Sequence, residues 1–222
     1  MSILGFYFDI VRALEEIGAP YMLVGAFAGS AFGITRATFD VDMLVNLREP
    51  HFNALAHRFP PPRYYADPEQ MRNSTRLGIM FNIIDMNQGV KADLVPLSGS
   101  PGYREAFARR TRRTFQDESG NEFEAWCACP EDIILGKLMA WQEGRSAKHP
   151  ADIREMLVFI LSGLSDEELD LGYVSMRAAQ LGTEVAELWQ MLLDKAQAEI
   201  AGRDQPAKKL GSEKRTYGRN EL

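Results

Sequence analysis

Asp40 and Asp42 stand two apart in Thr38-Phe39-Asp40-Val41-Asp42-Met43-Leu44-Val45, an apolar, β-branched segment that reads as a strand over Thr38–Asn46. Strand alternation puts both carboxylates on one face, with Val41 and Met43 on the other. Two carboxylates about 7 Å apart along a strand repel each other unless water or cations neutralise them. Hard, oxygen-ligated cations such as Mg²⁺ suit that pair. The solvated face of an edge strand carries the same spacing, so Asp-x-Asp alone leaves both readings open.

Two further features favour chemistry. Lys91-Ala92-Asp93-Leu94-Val95 places a third acid inside another apolar strand, so three carboxylates from two strands can converge. Ahead of the acidic strand lies a small-residue run, Val24-Gly25-Ala26-Phe27-Ala28-Gly29-Ser30. There backbone N–H groups can approach phosphate oxygens without obstruction. Arg36 and Thr38, between the two features, offer a phosphate contact and a hydroxyl. A phosphate cradle beside a carboxylate pair is what metal-assisted phosphoryl or nucleotidyl transfer requires.

Val24-Gly25-Ala26, then Asp40-Val41-Asp42, then Asp93 on a later strand resembles the DNA-polymerase-β-like nucleotidyltransferase superfamily. The stretch from Leu23 through Gly33-Ile34-Thr35-Arg36 to Asp42 is similar to the branch holding AbiEii-type toxins and related bacterial proteins. The similarity continues in Pro130-Glu131-Asp132-Ile133-Ile134-Leu135-Gly136-Lys137-Leu138 and in Lys148 with Ala151-Asp152-Ile153, covering roughly residues 20–160. The chain departs from the pattern at Ala26, where the family carries Gly or Ser, and at Phe32, where this branch often has His.

The resemblance implies an α+β fold: a small mixed β-sheet core flanked by helices, followed by a C-terminal helical domain. It implies transfer of NMP from an NTP to an acceptor hydroxyl with release of pyrophosphate. Asp40 and Asp42 would hold Mg²⁺ or Mn²⁺. Asp93 would complete a second metal site, or orient and deprotonate the acceptor. Gly25, Ala26 and Ser30 would shape the phosphate pocket, with Thr38 and Asp152 also on the nucleotide. Arg36 and Lys137 would offset charge. The same branch implies tRNA or another RNA as acceptor and a cognate antitoxin as partner; other members of the superfamily modify small molecules such as antibiotics. The alternative is a degenerate relative that binds nucleotide or protein without turnover, to which Ala26 and Phe32 point. A third reading is an interaction protein whose acids face solvent.

The elements that must position these residues follow from pattern. A helix over about 3–17 starts at Ser2 and carries Phe6, Ile10, Leu14 and Ile17 at helical spacing. Tyr21–Val24 is a strand, and Gly25–Phe32 a turn leading into a short helix. Pro50–Phe59 is a helix, ended by three prolines. Residues 63–76 are polar and give no clear element. Leu77–Met86 and Val90–Leu97 are strands joined at Asn87-Gln88-Gly89. Arg112–Cys127 is a hairpin turning at Glu118–Asn121. Beyond Pro130, a helix start with Glu131 and Asp132 in the first turn, the texture is helical. Helices run to about Gly144, from near Pro150 to Gly163, and over Asp166–Leu171, Tyr173–Leu181 and Thr183–Ala201. This places a catalytic domain at 1–128, a helical domain at 129–202 and a basic, disordered tail at 203–222.

Lys137 lies on the apolar stripe of Ile134, Leu138 and Trp141. It either snorkels to solvent or points into the interdomain cleft to meet a carboxylate or triphosphate. Asp152 is either a first-turn dipole acid or a partner of Lys137 or Lys148. Arg104, Arg109, Arg110, Arg112 and Arg113 form either a solvated face or a patch for an RNA acceptor.

The net charge of −6 and pI near 5.2 argue against a uniform electrostatic grip on nucleic acid. Cys127 and Cys129, too close along one strand to bridge and with no third cysteine to complete a zinc site, read as packed thiols. With no leader pattern and no apolar run of about 18 residues, the expectation is a cytoplasmic chain with no membrane partner.

Overall fold

Phe6, Ile10 and Leu14 are completely buried along one side of helix α1, Ile3–Glu16, in the computed structural model of the chain. The structure describes residues 3–38, 40–99, 101–116, 120 and 122–203. Strand β1, Tyr21–Val24, follows and runs without an intervening turn into the short helix α2, Gly25–Gly29. Gly25, at φ +72°, makes the change of direction in a single residue. A 3₁₀ turn, Ser30–Phe32, leads by an extended loop to β2, Asp40–Val45.

Helix α3, Glu49–Arg58, has Pro50 in its first turn, where proline costs no hydrogen bond. The polar stretch after the prolines resolves into β3, Tyr64–Tyr65, and helix α4, Pro68–Leu77. Asp67 caps α4 by accepting from the Glu69 amide at 2.8 Å, with Pro68 at the first helical position. Leu77 therefore ends a helix, and β4 spans only Phe81–Asp85, shorter than the strand expected from Leu77. The hairpin into β5, Val90–Pro96, turns at the expected place, with Gly89 at φ +67°. A short helix α5, Arg104–Ala108, precedes β6, Thr111–Gln116, and β7, Glu122–Cys127. The hairpin turn expected between them falls, Gly120 excepted, outside the described residues. So do Ser2 and residues 204–222.

Among the described residues, seven strands form one mixed sheet in the order β3-β4-β5-β2-β1-β7-β6. β2 is central, antiparallel to β1 and parallel to β5. The rest is helical: α6, Pro130–Gly144; α7, Lys148–Leu161; α8, Leu171–Leu181; and α9, Thr183–Arg203. The helix expected over Asp166–Leu171 does not form. Asp170 instead caps α8, accepting from the Tyr173 amide at 2.8 Å, and a cap residue stands outside its helix. Val185, Leu188, Trp189, Leu192 and Leu193 of α9 are buried, and the Trp189 indole donates to Ser175 of α8 at 2.8 Å. The architecture is thus the expected α+β one, with helices following the sheet. Among the described residues, no helix is long and apolar enough to cross a membrane.

Candidate functional site: an acidic strand pair beside a cationic cleft

The site follows from strand register. β2 and β5 run parallel with Asp42 opposite Asp93 and Asp40 opposite Lys91. Residues in register on paired strands share a face, so the three acids and Lys91 lie together. β4 brings Asn82 opposite Asp93 from the other side, and its amide donates to Asp93 Oδ1. Lys91 Nζ lies 3.0 and 2.8 Å from the two Asp93 oxygens and 3.9 Å from Asp40 Oδ1.

Burial, then the neighbouring charges of Asp93 and Asp40, push the Asp42 carboxyl above the ordinary range. The Lys91 ammonium is held above its usual value, chiefly by its hydrogen bond to Asp93. Tyr7 of α1, fully buried, is pushed up to about 12 by burial and then by Asp40, Asp93 and Asp42. Its phenol therefore stays protonated beside the acids at neutral pH.

Gly25 completes this edge. A Cβ there would fall 2.3 Å from Asp42 Oδ2, so only glycine leaves the carboxylate its place. Gly25 and Ala26 line a cleft of about 560 Å³ together with Asp40, Asp42, Arg36 and Thr38. Lys137, Lys148 and His149 line it from the helical side. That volume is in the usual range for small-molecule sites.

Across the cleft, Asp152 joins the two parts of the chain. Its oxygens accept from Arg36 Nε at 2.7 Å and Nη2 at 2.9 Å, and from Lys137 Nζ at 2.6 Å. Lys137 and Asp152 are both buried, so the lysine does not snorkel. Burial opposes ionisation of Asp152, but the Arg36 and Lys137 hydrogen bonds more than offset this and hold its carboxyl below the ordinary range. Burial pushes the Lys137 ammonium down, and Asp152 offsets that only in part. The loop carrying Arg36 is pinned to α7, because the Thr35 amide and hydroxyl both donate to Glu155, at 2.8 and 3.1 Å.

The expected nucleotide-binding residues thus separate. Gly25, Ala26, Arg36 and Thr38 reach the cleft, and Asp152 stands behind Arg36 and Lys137. Ser30 turns back to donate to the Phe27 carbonyl at 2.7 Å and does not line the cleft. The Thr38 hydroxyl donates to the Asp40 carbonyl at 3.0 Å, closing the approach to β2. Phe32 is completely buried in the core. The arginine cluster is largely committed within the protein. Arg109 binds Asp132 at 2.7 Å, Arg112 binds Glu15 at 2.5 Å and Arg113 binds Glu167 at 2.6 Å. Arg110 lies over the Phe107 and Trp126 rings. Both cysteines are free thiols; Cys127 is buried, and Cys129 lies past the end of β7, where it starts α6.

Asn82, Tyr7 and Lys91 are site residues that the acids alone do not reveal. Lys91 had a signal: two residues before Asp93 on a strand, it must share its face. Tyr7 had none, because α1 reaches the acids only through tertiary packing.

The oxygen-only donor set of Asp40 and Asp42 fits a hard divalent ion, and Gly25 leaves the Asp42 carboxylate the space it occupies. Among the described residues, no group of three or more His, Cys, Asp or Glu side chains is arranged to hold a metal ion. Mg²⁺ commonly binds through one or two carboxylates and completes its shell with water and substrate phosphate.

No family model and no curated protein matches the chain in sequence. Among solved structures it is similar to an antigenic nucleotidyltransferase-like protein from Paracoccidioides brasiliensis, at 15% identity over 86% of this chain and 91% of that one, with a TM-score of 0.47. It is also similar to the antibiotic-resistance factor ANT(2'')-Ia, at 15% identity over 89% and 92% of the two chains, TM-score 0.40. A third is the lincosamide antibiotic adenylyltransferase LnuA, at 12% identity over 69% and 94%, TM-score 0.33. Likeness at these scores carries no argument about chemistry, which rests on the side chains.

Proposed function

We propose that the chain is a metal-dependent nucleotidyltransferase that moves an NMP group from an NTP to an acceptor hydroxyl. The observation that carries this reading is the register of β2 and β5, which gathers Asp40, Asp42 and Asp93 beside Gly25 at the edge of a cleft lined by Arg36, Lys137 and Lys148. Asp40 and Asp42 would hold Mg²⁺ or Mn²⁺, which when bound would supply charge stabilisation to the phosphate oxygens.

The chain's own residues do the rest. The backbone at Gly25 and Ala26 admits the triphosphate close to Asp42. Arg36 and Lys137, both fixed by Asp152, neutralise its charge. Asp93, held by Lys91 and Asn82, backs the Asp40 and Asp42 pair from β5, and the acceptor hydroxyl passes its proton to water as it attacks. The acceptor oxygen then bonds to the α-phosphorus, the bond to the bridging oxygen of the β-phosphate breaks, and pyrophosphate leaves.

The similarity of residues 20–160 to the AbiEii-type branch supports tRNA or another RNA as acceptor and a cognate antitoxin as partner. The internal pairing of Arg109, Arg112 and Arg113 shifts any RNA contact away from that cluster. Ala26 favours a second reading, a relative that binds nucleotide without turning it over, because the hydroxyl or glycine usual at that position is missing.

The test is a thermal-shift series with ATP, GTP, CTP and UTP, each with and without Mg²⁺ or Mn²⁺, on wild type and on Asp40→Asn/Asp42→Asn. Ligand at about 100 times its Kd adds about 2.7 kcal/mol, which is readily seen. A metal-dependent shift in wild type, lost in the double variant, is expected. A well-folded wild type that no nucleotide shifts would remove the reading. Pyrophosphate release with any acceptor would remove the non-catalytic alternative.

A further inference from the structure

The three carboxylates are not equivalent. Asp40 and Asp42 line the cleft; Asp93 does not, and it is only 6% exposed. Both Asp93 oxygens are already taken. Oδ1 accepts from Asn82 and from Lys91 at 3.0 Å, and Oδ2 accepts from Lys91 at 2.8 Å. Lys91 does not arrive on a mobile loop. It is fixed inside β5 opposite Asp40, so sheet pairing sets where its stem begins. Its Nζ sits between Asp93 and Asp40, 3.9 Å from Asp40 Oδ1. In two-metal sites the ions lie about 3.5–4 Å apart, so a second ion beside one on Asp40 and Asp42 would draw on the third carboxylate, Asp93. Here an ammonium occupies the carboxylate that a second ion would need.

Resting on the metal-site reading above, we propose that Lys91 is a built-in cation that replaces the second divalent ion, so that the chain takes a single ion, on Asp40 and Asp42. The positive charge offsets Asp93 and holds its carboxylate in place beside Asp40 and Asp42. It also offsets one unit of the cluster's negative charge, with no dependence on metal concentration at that position. Asn82 fixes the other side of the same carboxylate, so Asp93 is oriented by protein donors alone.

The test counts ions directly and does not depend on turnover. Mn²⁺ is titrated into the full chain, first alone and then with one equivalent of α,β-methylene-ATP, and free Mn²⁺ is followed by electron paramagnetic resonance. Wild type and Lys91→Arg are expected to bind one Mn²⁺ per chain. Lys91→Met, which removes the charge and keeps the length, is expected to bind two. Two ions in wild type would overturn the proposal while leaving the nucleotidyltransferase reading intact, since Lys91 would then have yielded its place. One ion in a folded Lys91→Met would also overturn it. No Mn²⁺ bound by any of the three would overturn both the proposal and the metal-site reading. If Lys91→Met fails to fold, Lys91→Gln takes its place in the same count, with two ions expected and one ion overturning the proposal.

Discussion

The Asp42 carboxyl is pushed above the ordinary range by its surroundings: it is half-buried and has Asp93 and Asp40 as neighbours. Its folded pKa is raised, so its contribution to stability is fully present below the unfolded value and is lost as pH rises through the folded one. At pH 7 the metal-free protein therefore carries a penalty that a neutral amide would not. Asp42→Asn is expected to raise the Tm of the metal-free protein at pH 7 while removing metal-dependent nucleotide binding. The Tm gap should close as pH falls through the raised folded pKa towards about 4, the ordinary range of an aspartate. Paired melts from pH 4 to 8 in chelator test this. A gap that is negative, or that does not vary with pH, would show that Asp42 is not strained by its neighbours. Such strain in an apolar strand is typical of a side chain kept for function.

Between elements, the buried link is Asp152 of α7 with Lys137 of α6 and Arg36 of the loop before β2. Removing one partner of a buried pair typically costs about 3–5 kcal/mol, because the other charge is left without compensation. Asp152→Ala should therefore lower the Tm by at least about 6 °C for a chain of this size. Replacing both buried members by apolar groups, as in Lys137→Met/Asp152→Leu, should recover part of that loss, since the only charge left without its partner is the Arg36 guanidinium, which is 36% exposed. Chemical denaturation of the three proteins measures it. An Asp152→Ala variant as stable as wild type would mean that the pair is solvated in solution. The linkage sign here is opposite to that of Asp42. The Asp152 carboxyl is held low, so its stabilisation is present above the ordinary aspartate range and is lost as pH falls through the folded pKa.

At the scale of the whole molecule, we propose that residues 1–128 and 129–202 are two parts of one cooperative unit. A single cluster of buried side chains runs from Phe6 and Leu23 through Ile133 and Ile153 to Leu192. The Arg109–Asp132 and Arg113–Glu167 pairs tie β6 and its approach to the helices. Scanning calorimetry should give one transition whose calorimetric and van't Hoff enthalpies agree. Two resolved transitions would mean that the helical part unfolds alone. Most of the arginines that look like an exposed basic patch in the sequence serve this cohesion, because each finds a carboxylate or ring from a distant element.

The sequence alone determined what depends on local period and local chemistry. Apolar spacing marked α1, α6 and α9, and the glycine-bearing connection marked the β4–β5 hairpin, because such signals act over a few residues. Alternation placed Asp40 with Asp42, and Asp93 inside a strand, without knowledge of their neighbours. The short α5 spans too few residues to show a period, and the starts of α4 and α8 were not legible by period, since Asp67 and Asp170 set them as caps through one or two side-chain bonds. Tertiary structure decided the rest. Only the parallel register of β2 and β5 puts Asp42 against Asp93 and Lys91 between the acids. Only packing of the helices on the sheet brings Lys137 and Asp152 to Arg36 and Tyr7 to the carboxylates. Those contacts join residues far apart in the chain, and their geometry is set by which faces bury together, a choice no local pattern contains.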